Sequence, residues 1–560
     1  MRQTAVRLLL SHRGLLREPP RASSLTFLCQ THALSALSPS TCQASTHTDA
    51  RTKAQPHAQI NVQSPTNQLD FGDGSWVFRH KTARELLRGL LVLHACAVDP
   101  LVTHSYKLMK IGERLLGSSL LGLLMSPFYS QFVAGDSEAE LGRVSRSLAD
   151  VGVRLMVAPM LETDLGEGVD EQEMYRRNLD KTLMLVAQTR RQSVMGGARP
   201  VCQTKMTAHL TADVLKRVSD AYQSLTLEGK TEAVRELGQL MVKEATKEEG
   251  EAGGKKREAG REEWPHPSTS SVSSSSSSLQ GLLRSLPLQE SDAHRLLCCL
   301  PRLHQLGETC RREDVVLAVD AEYTYTNPAI NLMTLAMMHV FNRQEKRGGG
   351  GRGRGPIVWN TYQGYLKAGV ENLQEDLAVA RALGEDMSFG VKLVRGAYLE
   401  RERAWAAEQG RPDPVNDTYE DTCDVYNRMV EVMLAEVDAA ENASGGGEGA
   451  EGGQVSRAVM VATHNEESVV LATQKATRLG LDTRGGSVVF AQVYGMAENI
   501  SVPLAAAGFL VYKSVPVGSV AEVLPYLSRR AAENRAVMRG ARRERQLLAK
   551  ELAARVVGRG

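Results

Sequence analysis

Residues 508–516 read GFLVYKSVP, followed by Val517-Gly518 and an amphipathic stretch over 519–537. An apolar β-branched run, a Pro/Gly turn and a helical period make one strand–turn–helix unit. Seven earlier runs share this character: 154–160 (RLMVAPM), 200–208 (PVCQTKMTA), 315–322 (VVLAVDAE), 356–363 (PIVWNTYQ), 388–398 (SFGVKLVRGAY), 457–465 (RAVMVATHN) and 488–496 (VVFAQVYGM). Most of them precede amphipathic stretches such as 418–440. Strands that are apolar on both faces and alternate with helices predict an α/β fold with a parallel sheet, closed as a (β/α)8 barrel. The competitor is a doubly wound open sheet, which usually carries a glycine-rich phosphate turn after its first strand. No such turn is present, and the glycines of 348–355 do not follow a strand.

Length allows a barrel with additions: the chain has 560 residues. Its formal net charge of +2 argues against a nucleic-acid binder, which usually carries a basic surplus. The eight cysteines (29, 42, 96, 202, 298, 299, 310 and 423) form no CxxC pair and no Cys/His cluster, so neither a disulfide framework nor a zinc site is expected. Residues 1–55 are rich in Arg and Ser, with Glu18 the only acid before Asp49, which reads as a mitochondrial transit peptide. No stretch supports a transmembrane helix; the best candidate, 115–133, is interrupted by Ser118, Ser119, Ser126 and Pro127. Residues 70–150 read as a helical arm before a barrel over 151–555. Low-complexity segments at 245–290, 343–355 and 444–453 read as disordered insertions within it.

Polar and charged residues collect at the C-terminal ends of the strands. They are Lys205 on the second, Asp320 on the third, Asn360 on the fourth, Lys392 and Arg395 on the fifth, His464 on the sixth, Gln492 on the seventh and Ser514 on the eighth. That rim is where barrel enzymes place their chemistry. Beyond the eighth strand, Tyr526, Arg529, Arg530 and Glu533 fall at helical spacing on one face. Adjacent guanidiniums suit a small carboxylate, each offering two parallel hydrogen bonds. On those four residues alone, a solvated salt-bridged helix is the alternative. Many cations and few acids on one rim fit an anionic substrate and a phosphate-bearing cofactor.

These residues lie in stretches that resemble the proline dehydrogenase family of FAD-dependent barrel enzymes. The matching segments are Asp320-Ala321-Glu322, Asn360-Thr361-Tyr362-Gln363, Lys392 through Tyr398, Ala462 through Asn465, Tyr526 through Arg530 and Glu533-Asn534. The resemblance implies that Lys205, Arg529 and Arg530 hold the substrate carboxylate. Asp320, Tyr398 and Tyr526 would shape the pocket around the ring. FAD would cross the barrel mouth, contacting Asn360, Lys392, Arg395, Gly396, Ala397, Thr422, His464, Gln492 and Glu533. Hydride would pass from the ring carbon beside nitrogen to the flavin, and electrons onward to a membrane quinone, with peripheral association at the matrix side of the mitochondrial inner membrane. By the same resemblance Asp136 matches an acid that pairs with the second arginine.

One position departs from the family's commoner pattern. Proline dehydrogenases carry tyrosine where this chain has Ser514, whereas the branch acting on hydroxyproline carries serine. A hydroxymethyl group vacates space and leaves a small donor or acceptor for a substrate hydroxyl. Val493-Tyr494 also differs from the Leu-Leu of related animal enzymes. The expected substrate is therefore hydroxyproline, with L-proline the alternative. A barrel that binds without catalysis, and a lyase using Lys205 or Lys392 as a Schiff base, are readings from other classes.

Overall fold

The computed structural model describes residues 69–98, 105–161, 170–252, 276–343, 355–443, 455–520, 522–523 and 538–558. Each of the eight apolar runs forms a strand: β1 Val153–Pro159, β2 Val201–Thr204, β3 Val316–Val319, β4 Val358–Gln363, β5 Phe389–Val394, β6 Arg457–Ala462, β7 Val488–Val493 and β8 Leu510–Val517. Every strand pairs in parallel with the next, and β8 closes on β1, with Ser514 opposite Met156. The expected (β/α)8 barrel is the observed fold.

The strands form because their side chains are buried on both faces. Val157, Leu317, Val391, Val459 and Val511 point outward and pack beneath the helices. Met156, Ala318, Trp359, Met460 and Tyr512 point inward and fill the lower barrel. A Cβ on Gly390 would lie 2.6 Å from Trp359 Cδ1, so glycine is what admits the indole to the interior.

Helices cover the barrel, and most follow the strand that feeds them. Residues 245–290 correct one expectation at their edges: the Leu227–Ala252 helix runs well into the stretch, and a second helix spans Ser276–Ser285. Leu282 and Leu286 are fully buried there, and Ser278 donates to Glu244 at 2.6 Å. The serine-rich composition hid an i, i+3, i+4, i+7 apolar row of Leu279, Leu282, Leu283 and Leu286. The segments 1–55, 344–354 and 444–453 lie outside the described residues.

Residues 74–95 and 538–556 pack together, beside the Glu498–Ala506 helix that follows β7. The Ala83–Ala95 helix opens on a capping box formed by Thr82 and Glu85. It packs through Leu86, Val92 and Leu93 against Leu547 and Leu548 of the Met538–Val556 helix. Buried charges join these parts. Lys513, outward on β8 and 0% exposed, donates to the Met496 carbonyl and lies 3.9 Å from Glu498, which Lys81 approaches at 3.2 Å. Glu544 accepts from the backbone N–H of Ala497 at 2.8 Å and of Glu498 at 3.2 Å, around a left-handed Ala497 (φ 55°). Burial alone would raise the Glu498 carboxyl, but Lys513, Lys81 and His80 outweigh it and hold it at about 2.

Candidate active site

Strand alternation builds the site from below. Two residues beyond each inward-facing apolar side chain comes the next inward position. Above Val201, Ala318, Gly390 and Tyr512 these are Gln203, Asp320, Lys392 and Ser514. Lys392, 4% exposed, donates to Asp320 Oδ1 at 2.5 Å and to Gln203 Oε1 at 2.9 Å. Gln203 Nε2 donates in turn to Ser514 Oγ at 2.8 Å. A single hydrogen-bonded row thus crosses the barrel interior from β3 through β5 and β2 to β8.

One layer higher, Lys205 ends β2 beside Glu322. Burial raises the Glu322 carboxyl, and the Lys205 charge and the Thr207 hydrogen bonds draw it partly back. Glu322 accepts from Thr207 Oγ1 at 2.7 Å, fixing the loop after β3 to the turn after β2. Gln363, at the end of β4, accepts from Asn327 at 2.9 Å and donates to the Glu322 carbonyl at 3.0 Å.

The turn after β5 supplies the next wall. Gly396 has φ 121°, and a Cβ there would sit 1.7 Å from Tyr365 Cδ1, so only glycine permits this turn. Ala397 follows it, and Tyr398 packs against Tyr323 with ring centroids 4.6 Å apart. Glu402 holds the facing loop by accepting from Thr324 N and Oγ1 at 2.7 and 2.6 Å. Arg395 sits over the Tyr426 ring, its Cζ 4.4 Å from the centroid, donating to Thr463, to Ser468 Oγ at 2.9 Å and to Cys423 Sγ at 3.4 Å. Its Nε is buried without a hydrogen-bond partner. His464 Nε2 accepts from the Val493 N–H at 3.0 Å, which places its ring proton on Nδ1.

Not every residue expected at the mouth reaches it. Asn360 and Gln492 occupy outward positions on β4 and β7. Asn360 is fully buried and donates to Asn331 at 3.0 Å, while Gln492 accepts from Ser501 at 2.8 Å. Both secure strands to helices. Thr422 is buried in the Tyr419–Ala443 helix, its hydroxyl donating to the Thr418 carbonyl at 3.2 Å. Tyr526, Arg529, Arg530 and Glu533 lie outside the described residues. Asp136 is exposed, on a loop pinned to the β8 turn by Ala134 N to Pro516 O and Gly518 N to Gly135 O, both 3.0 Å. Gln203 joins the row although no motif marks it; the signal for it is its place two residues before Lys205, on the same face.

A family model described as proline dehydrogenase matches residues 160–543. The chain belongs to the proline dehydrogenase family. Among its relatives, hydroxyproline dehydrogenase of Xenopus laevis is 36% identical over 502 residues, covering 90% of this chain and 93% of that one. The Bos taurus hydroxyproline dehydrogenase is 38% identical over 496 residues, covering 88% and 94%. Proline dehydrogenase 1, mitochondrial, of Homo sapiens is 32% identical over 571 residues, covering 88% and 91%. The fold also matches a crystal structure of proline utilization A from Bdellovibrio bacteriovorus inactivated by N-propargylglycine. That match has a TM-score of 0.51 at 16% identity and covers 86% of this chain but 40% of the larger protein.

Proposed function

We propose that the chain is an FAD-dependent dehydrogenase that oxidises trans-4-hydroxy-L-proline to 1-pyrroline-3-hydroxy-5-carboxylate. The observation that carries the substrate assignment is Ser514: a half-buried hydroxyl held in the inward row with Lys392 and Asp320. The relatives named hydroxyproline dehydrogenase support it at 36–38% identity.

The residues present fit a flavin. Arg395 has a buried Nε still to be satisfied, and a buried donor left unpaired costs about 1–3 kcal/mol. Arg395, Gly396, Ala397 and His464, with Glu533, are assigned to holding it, Lys392 to its redox end, and Thr422, whose hydroxyl is used within its own helix, to support. Asn360 and Gln492 are assigned to support, since their amides are already used behind the strands. Bound there, FAD supplies the hydride acceptor.

The rest of the chemistry belongs to the chain. Oxidation removes a hydride from the ring carbon beside nitrogen and a proton from the amine, leaving a C=N bond. Lys205, Arg529 and Arg530 would clamp the carboxylate, and Asp320, Tyr398 and Tyr526 would enclose the ring. That clamp converts binding into orientation. Lys392, paired with Asp320, would stand as a cation beside the acceptor and would stabilise negative charge developing there.

Electrons would pass to a quinone at the matrix face of the mitochondrial inner membrane; a relative named as mitochondrial supports the compartment. Among the described residues no helix is long and apolar enough to cross a membrane. Leu87 and Leu91 of Ala83–Ala95 and Leu115, Leu120, Leu123 and Leu124 of Ser105–Phe132 are 45–78% exposed, with Arg84 and Arg114 exposed beside them. An apolar face carrying cations suits an anionic bilayer surface.

Ser514→Tyr tests the substrate assignment. It should move the ratio of kcat/KM values toward L-proline, measured with a soluble quinone analogue as acceptor. An unchanged ratio removes Ser514 from the argument.

A further inference from the structure

Gln203 is 6% exposed and its amide bridges two groups. An ammonium only donates, so the Gln203 oxygen must face Lys392, as it does at 2.9 Å. The amide NH2 must then face Ser514 Oγ, at 2.8 Å. Flipping the amide would set its NH2 against the Lys392 ammonium. Ser514 therefore accepts from Gln203, and its single proton is directed elsewhere.

We infer that Gln203 is a positioning residue for substrate specificity. Anchored by the Lys392–Asp320 pair, it fixes Ser514 as a hydrogen-bond donor toward the pocket. The acceptor it suits is the oxygen of a ring hydroxyl. A substrate without that oxygen leaves the Ser514 proton unpaired, which is the stronger form of discrimination. The inference rests on the hydroxyproline reading, and it adds that the polarity of Ser514, set from a distance, carries part of the preference.

The test compares kcat/KM for trans-4-hydroxy-L-proline and for L-proline in flavin-loaded wild type, Gln203→Met, Gln203→Glu, Ser514→Ala and the Gln203→Met/Ser514→Ala double variant. Losses transmitted through Lys392 fall on both substrates and cancel in the ratio. Gln203→Met should lower the hydroxyproline-to-proline ratio roughly three- to tenfold, the span of one neutral hydrogen bond. Ser514→Ala should do likewise, and the double variant should fall no further than Ser514→Ala alone. Gln203→Glu, an isostere that only accepts, should reverse the Ser514 donor and lower the ratio at least as far. It carries the test if the methionine variant loses its flavin. A ratio within twofold of wild type in Gln203→Met and Gln203→Glu, or a double-variant loss equal to the product of the singles, overturns the inference alone. A wild type that prefers L-proline overturns the hydroxyproline reading and this inference with it.

Discussion

Replacing Glu498 by glutamine removes one charge from a cluster that is closed to water. Lys513 is 0% exposed, and after the change it would keep the Met496 carbonyl and the Glu544 charge but lose the carboxylate that acts on it most strongly. Lys81 would lose its 3.2 Å contact as well. Breaking a buried pair by removing one partner costs about 3–5 kcal/mol, because the other charge stays buried. The pKa of Glu498 gives a second route to the size. Against an ordinary value of 4.5, a folded value of about 2 corresponds to roughly 3 kcal/mol. Because the folded pKa is the lower one, that stability is present above pH 4.5 and is lost as pH falls toward 2. Glu498→Gln should thus cost about 3 kcal/mol at pH 7 and flatten the acid limb of the stability curve. For 560 residues this is a drop in Tm of roughly 3 °C, at about 1 °C per kcal/mol. Glu498→Gln/Lys513→Met should recover most of the loss, since removing both partners leaves no charge orphaned. Chemical denaturation at pH 7 and calorimetry from pH 3 to 7 read both effects. A single variant within 0.5 kcal/mol of wild type at pH 7, or a double variant as unstable as the single, would show that the buried charges of this cluster do not depend on one another.

Gly396→Ala should abolish flavin retention, because its Cβ would overlap Tyr365 in a left-handed turn; protein purified with a full flavin spectrum would contradict this. Burial raises the Asp376 carboxyl to about 7, with the Tyr362 hydroxyl donating to it at 2.7 Å. The folded pKa is here the higher one, so stability present below pH 3.8 is lost as pH rises through 7. Asp376→Asn should remove that slope and exceed wild type at pH 8 by about 1–3 kcal/mol in denaturant melts; parallel pH profiles would sink the idea. Leu91→Ser/Leu123→Ser should reduce co-sedimentation with cardiolipin-containing vesicles several-fold without changing turnover of a soluble acceptor. Unchanged binding would place the membrane contact elsewhere.

The barrel was legible because β-branched runs recur with amphipathic stretches between them, and that rhythm needs no knowledge of packing. Orientation was harder to read. In a parallel barrel both strand faces are apolar, so hydrophobicity does not say which polar residue looks inward. Asn360 and Gln492 stood at the right heights with the wrong parity, and their amides join strands to helices. Parity counted from Lys205 does find Gln203, since residues i and i−2 share a face. The row from Asp320 to Ser514 needed three-dimensional closure, as its members come from four strands. Cluster chemistry around Lys513 was invisible for a similar reason: Lys81, Glu498 and Glu544 lie far apart in sequence.

A flavin in this barrel should take hydride from a hydroxylated proline. The most direct test is the visible spectrum of the purified protein, titrated anaerobically with trans-4-hydroxy-L-proline and, separately, with L-proline. The oxidised flavin spectrum should bleach with hydroxyproline at lower concentration and faster than with proline. Full bleaching by proline with none by hydroxyproline would contradict the substrate; carefully purified protein without flavin would contradict the chemistry.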